Sequence, residues 1–329
     1  MFFYDSLHQS RSVQMKESIY QFTTIYDGSI SMTEYKRSMF PPEGPVGDSS
    51  EFIKEDPPFM RMLRSAIHDS FQRRLSEDTI DIMVPFTRRT LCGIVQAGNP
   101  TTCSVTDNRL RLVKNYIDLA IQEGNVAFDN SGIPGRIRLV HNYLVNDYDE
   151  STKEYSDILW NMGYQTDGVI DDVHLLRAQY KADVVVMLVD NPTSCGLTFA
   201  GFPVSKFWAF SAVNWSCAVG YYTFVHEVVH FLGAQHDRLT KNCPDLTCCD
   251  GQCYNFGWLD PRYRFRSIMS YDCPTADGCP RVQYFSQPEN FYELVSSDGL
   301  SSRYIRIGNS YNNNARFIRE KWAAVAAFY

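Results

Sequence analysis

The segment His226–Asp237, HEVVHFLGAQHD, has the residue types and spacing of a metal centre. On a helix, positions i and i+4 share a face. His226 and His230 would therefore project side by side and could bind one cation. Glu227, next to the first of them, could reach a water at that cation. Gly233 lets the chain leave the helix through a left-handed turn, which would bring His236 back as a third nitrogen ligand. Three imidazoles leave one tetrahedral position open, the arrangement of a catalytic rather than a structural zinc site. The bland alternative is an amphipathic helix with incidental histidines. Against it, three of the chain's seven histidines fall in this one stretch.

The rest of the chain must position these groups. Its 329 residues, 44% hydrophobic, suffice for a sizeable core. The net charge of -7 and the absence of a long Lys/Arg run argue against a nucleic-acid partner. The longest apolar run, Ala182–Val189, is too short to span a bilayer and reads as a buried strand. The opening residues MFFYDSLHQSRS hold no apolar stretch long enough for a signal peptide, so a start further upstream, or a mature or trimmed form, is expected. The ten cysteines are even in number and fall in close pairs, which favours disulfides in an oxidising compartment. A second zinc site at Cys243, Cys248, Cys249 and Cys253 is the alternative, although CPDLTCCDGQC does not match two separated CxxC knuckles.

Residues 1–78 lack cysteine and contain a Pro/Gly/Ser-rich stretch, Pro41–Ser50, followed by helical spacing over Phe59–Leu75. They read as an N-terminal extension or pro-region. From Thr79 strands and helices alternate. Strands are expected at Ile80–Phe86, Arg136–Tyr143, Ala182–Val189 and Phe207–Val213. Helices are expected at Asp107–Phe128 with Asp107 as N-cap, at Asp171–Tyr180 and at Val219–Gly233. This order predicts an α/β fold with a mostly parallel sheet.

In HEVVHFLGAQHDR, DGVIDDVHLLRAQYKADVVVMLV (Asp167–Val189), SCGLTFAG (Ser194–Gly201), SIMSYDC, CPRVQYFSQP and NNARFIREKWAAVAAF, the sequence resembles the reprolysin-like metzincins, most closely the peptidyl-Asp metalloendopeptidase group. The resemblance spans about 79–329. It implies a two-lobed catalytic domain, upper part 79–236 and smaller C-terminal part 237–329, with a mixed, mostly parallel twisted sheet and an active-site helix. It implies an antiparallel edge strand near Gly196–Phe202, including Gly196, Leu197, Thr198 and Phe199, that binds extended substrate by strand addition. It also implies a Met-turn at Met269 below the zinc, with Asp237 buried and bonded to that turn's backbone. Tyr271 is either an ordinary tyrosine or a phenol near the zinc, acting as weak ligand or oxyanion donor. The implied disulfides are Cys92–Cys103, Cys195–Cys217 and Cys273–Cys279, with the other two among Cys243, Cys248, Cys249 and Cys253. The chain departs from the family in Val229, where relatives often carry Gly, and in lacking a pro-region cysteine; Gly47-Asp48 could replace it.

The expected activity is that of a secreted, zinc-dependent endopeptidase. Zinc would polarise water and Glu227 would be the general base, with proteins or peptides as substrates. A catalytically silent binding protein on the same scaffold is the alternative. Acidic residues leave a calcium site open. The sequon at Asn214-Trp215-Ser216 sits beside a strand and Cys217, and His141 and His174 read as ordinary strand and helix residues.

Overall fold

The computed structural model describes residues 10–14, 18–24, 30–42, 79–97, 99, 103–199, 205–243, 253–295 and 300–329; elements are numbered among these in chain order. Ser10–Gln14 (β1), Ser18–Thr24 (β2) and Ile30–Lys36 (β3) form an antiparallel sheet, closed by a short 3-10 turn at Arg37–Met39. No strand was legible here in the sequence. The helical spacing at Phe59–Leu75 and the pair Gly47-Asp48 lie outside the described residues.

The central sheet is built from Thr79–Thr87 (β4), Arg136–Val145 (β5), Val184–Val189 (β6), Gly196–Thr198 (β7) and Phe210–Asn214 (β8), in the order β5-β4-β6-β8-β7. β5, β4, β6 and β8 pair in parallel, while β7 runs antiparallel along the β8 edge. All six β6 residues are buried, as expected of a strand covered on both faces. Side chains alternate between two cores. Ile80, Ile82, Val84 and Phe86 join Val184, Val186 and Leu188 in one. Met83, Val185, Met187, Phe210 and Leu197 join the other.

Arg88–Ile94 (α1) and Asp107–Asn130 (α2) follow β4; Val113, Ile117, Ala120 and Ile121 of α2 line the first core. Tyr155–Gly163 (α3) and Asp172–Tyr180 (α4) cover the other face through Ile158, Leu159, Met162 and Val173. Trp215–Ala218 (α5) leads to Thr223–His230 (α6), whose Phe224, Val225 and Val228 sit in the first core. Several boundaries differ from expectation for local reasons. The N-cap of α2 is Thr106, whose hydroxyl accepts the Arg109 N–H at 3.4 Å, and Asp107 is the first helical residue. Lys206–Trp208 is a 3-10 turn, so β8 begins only at Phe210. α6 starts four residues later than its apolar pattern suggests, because Gly220 and Tyr222 hold φ of 75° and 62°, left-handed values that no α-helix contains.

Beyond α6, Gln235–Asp237 (β9) pairs in parallel with Phe256–Gly257 (β10), and Gln287–Val295 (β11) forms a hairpin with Ser302–Ile307 (β12). The last helix, Asn314–Val325 (α7), returns to the first core, where Trp322 meets Phe128 edge-on at 5.1 Å. The last helix is therefore packed into the core of the central sheet. Among the described residues no helix is long and apolar enough to cross a membrane.

Candidate metal and active site

α6 ends where its sequence provides an exit. Gly233 takes φ 82°, and the Ala234 N–H reaches back to the Val229 carbonyl at 3.2 Å. Asn255 then donates its side-chain amide to the Gly233 carbonyl at 2.6 Å, and its own carbonyl accepts the Gln235 N–H at 2.8 Å. Asn314 in turn donates to the Asn255 carbonyl at 2.5 Å. Flanked by these bonds and by the β9–β10 pairing, His236 is carried back toward the helix.

The three imidazoles converge. Their Nε2 atoms form a near-equilateral triangle with edges of 3.0, 3.1 and 3.0 Å, and all three residues are buried. Among the described residues this is the one group of three or more His, Cys, Asp or Glu side chains close enough to hold an ion. The backbone sets the tautomers. His226 Nδ1 lies 2.9 Å from the Ile268 carbonyl, and His230 Nδ1 lies 2.8 Å from the Ala234 carbonyl. Carbonyls only accept, so both Nδ1 atoms carry protons. Burial drives the proton affinity of His226 well below that of an ordinary histidine. With the Nδ1 protons of His226 and His230 directed at carbonyls, their Nε2 atoms face each other at 3.1 Å as the nitrogens that offer lone pairs, and two lone pairs cannot satisfy one another. A shared cation resolves this. Tetrahedral zinc with nitrogen bonds of about 2.0–2.1 Å separates its ligand nitrogens by roughly 3.3 Å, close to the triangle observed. The residues therefore fit zinc, and the Nδ1–carbonyl bonds are the outer contacts that orient such ligands.

Glu227 is 4% exposed. Its Oε2 accepts the Thr198 hydroxyl at 2.5 Å, and its Oε1 lies against Gly196. Met269, fully buried, occupies the turn Ser267–Ser270, whose Ser270 N–H meets the Ser267 carbonyl at 3.1 Å. A Cβ on Gly257 would come within 2.9 Å of that turn's backbone, so only glycine permits the approach. Asp237 accepts the Tyr271 N–H at 3.0 Å and both the N–H and hydroxyl of Thr240 at 2.9 and 2.8 Å. The Tyr271 ring packs against His236 with centroids 4.5 Å apart. Beneath the turn lie two fully buried arginines. Arg266 donates to the Ser270 carbonyl at 2.5 Å, and Arg281 to the Tyr221 carbonyl at 2.7 Å. Sequence reasoning missed Arg266, Arg281, Asn255 and Gly257, for none of them sits in a spaced motif.

Gly196, Leu197 and Thr198 form the edge strand, and Phe199 continues its pairing by donating to the Phe210 carbonyl at 3.2 Å. The loop before it is held by the Tyr155 hydroxyl, 2.7 Å from the Ser194 carbonyl, and by the Cys195–Cys217 disulfide. Cys92–Cys103 and Cys273–Cys279 are also formed. Cys243 and Cys253 are disulfide-bonded, which removes the thiolates a second zinc site would need; Cys248 and Cys249 lie outside the described residues. His141 stacks on Tyr180, and the His174 ring meets the Tyr164 carbonyl, so each has a packing role. The sequon Asn214 is buried and donates to the Asn191 carbonyl at 2.6 Å.

A mostly parallel sheet with an antiparallel edge, and a short helix presenting two of three converging histidines, define the metzincin-like α/β class. The chain belongs to the metallo-peptidase family M12: the family model Reprolysin_5 matches residues 99–286. A peptidyl-Asp metalloendopeptidase of Stenotrophomonas maltophilia is 33% identical over 242 residues, 74% of this chain and 53% of that protein. One of Xanthomonas campestris pv. campestris is 32% identical over 217 residues, 66% of this chain and 47% of that protein. The chain thus spans about half the length of the curated relatives it matches. A chain in a solved structure of a chaperone-substrate complex shares the fold at a TM-score of 0.50 and 15% identity, covering 77% of this chain and 36% of that one. Family membership implies a metal, and His226, His230 and His236 could hold it.

Proposed function

We propose that the protein is a zinc-dependent endopeptidase in which His226, His230 and His236 hold the metal and Glu227 is the general base. The observation that carries this reading is the triangle of three Nε2 atoms, two of them fixed as lone pairs by backbone carbonyls. Bound zinc would supply a Lewis acid that polarises the attacking water and the scissile carbonyl. Glu227 takes the proton from that water and returns it to the leaving amine nitrogen. The Tyr271 hydroxyl, carried by a ring packed on His236, donates to the oxyanion as it develops. Asp237 and the Met269 turn hold the third histidine and the phenol in register. Substrate enters as an extended strand along β7.

The relatives' names speak of peptidyl-Asp bonds, and the same preference is proposed here. The support is the resemblance to those relatives over most of this chain. Residues 1–78 are proposed as a pro-region, with the catalytic domain at 79–329, its parts meeting after His236, in a secreted protein. The support is the strap Arg37–Pro42. Phe40 stacks on Tyr221 at 4.7 Å, and the Pro42 carbonyl accepts the Cys195 N–H at 2.8 Å, immediately before the edge strand.

Cleavage-site profiling on a peptide library, with and without a zinc chelator, tests the proposal. Chelator-sensitive cleavage beside aspartate that disappears in Glu227→Gln, with zinc retained, is expected. Undiminished cleavage by Glu227→Gln would refute the assigned base.

A further inference from the structure

We propose that Thr198 is a positioning residue for the reaction, its hydroxyl and the bare backbone of Gly196 together setting the carboxylate of Glu227. The inference rests on the role of Glu227 proposed above. Thr198 and Glu227 are both 4% exposed. The Thr198 hydroxyl donates to Oε2 at 2.5 Å, in the range of strong charge-assisted O–H···O⁻ bonds. The same oxygen lies 3.3 Å from the Glu227 main-chain carbonyl, so it touches the side chain and the helix backbone together.

Gly196 works on the other oxygen. A Cβ there would come within 2.5 Å of Oε1 and 2.9 Å of both Cγ and Cδ. The strand backbone therefore lies directly against the carboxylate, and any side chain at Gly196 would displace it. Gly196 and Thr198 are two residues apart and so share one face of β7. Leu197 points the opposite way, into the core with Phe199 and Trp208. The two carboxylate oxygens are thereby made unlike. Oε2 is anchored by Thr198, and Oε1 is confined by the Gly196 backbone. The strand at the sheet edge, along which the substrate main chain would lie, also sets the base, so both are placed by one element. In the sequence this is the Gly-x-Thr of SCGLTFAG.

The test compares Thr198→Val, which keeps the shape and loses the hydroxyl, with Thr198→Ser, which keeps the hydroxyl. It reads kcat and KM on one peptide, together with zinc content. The valine variant is expected to lose at least about tenfold in kcat with KM within about twofold and zinc content unchanged, and the serine variant to recover to within about threefold of wild type. If the valine variant does not fold, Thr198→Ala is read the same way. A wild-type kcat in the valine variant, while Glu227→Gln is inactive, overturns this inference alone. So does a serine variant as slow as valine, or zinc lost from the valine variant. A Glu227→Gln enzyme at wild-type rate would instead overturn the underlying reading of the base.

Discussion

Asp237 accepts the backbone N–H of Tyr271 at 3.0 Å, so the residue after the third histidine is tied to the turn that carries Met269. The same buried carboxylate takes two further bonds from Thr240. Replacing Asp237 by alanine leaves three donors without their acceptor. A loss on the order of 3 kcal/mol in unfolding free energy is expected, with weaker zinc retention. Chemical denaturation of the two proteins decides it. A change below about 0.5 kcal/mol, the size of an ordinary surface substitution, would show that this carboxylate does not hold the turn.

Asp183 gives a pH signature away from the metal. Burial raises its pKa from 3.8 to about 6. A carboxyl with a raised folded pKa contributes stability that is full below its unfolded value and fades as pH rises through the folded one. The wild type should therefore lose up to about 3 kcal/mol relative to Asp183→Asn between roughly pH 4 and pH 6, and little more above pH 7. Denaturation curves of both proteins across that window measure it. A difference that stays flat with pH would contradict the raised pKa.

The strap can be loosened through Phe40. Its stack on Tyr221 is worth about 0.5–1.5 kcal/mol beyond buried area. If the strap restrains the site, Phe40→Ala should raise peptide turnover several-fold and speed proteolysis between residues 42 and 79. Turnover that is unchanged or lower would remove the pro-region reading.

The parts of this site that were legible in the sequence are local. His226 and His230 are one helical turn apart, Gly233 marks the exit, and His236 follows within three residues, so spacing alone brings them together. Thr198 and Glu227 are 29 residues apart, and nothing in either segment names the other. Arg266 and Arg281 look like surface arginines until the turn closes over them. The start of α6 was misplaced because apolar residues run through Val219–Tyr222, where backbone geometry rather than pattern breaks the helix. The β1–β3 sheet was invisible because its residues alternate weakly and pack partly on residues far along the chain, as when Gln21 donates to the Val219 carbonyl at 3.4 Å.

X-ray absorption at the zinc edge of the purified protein tests the central claim most directly. The account predicts light scatterers only, three of them imidazole nitrogens at about 2.0–2.1 Å, with one nitrogen lost in His236→Ala. Sulfur scatterers at about 2.3 Å, or a spectrum that His236→Ala leaves unaltered, would contradict it.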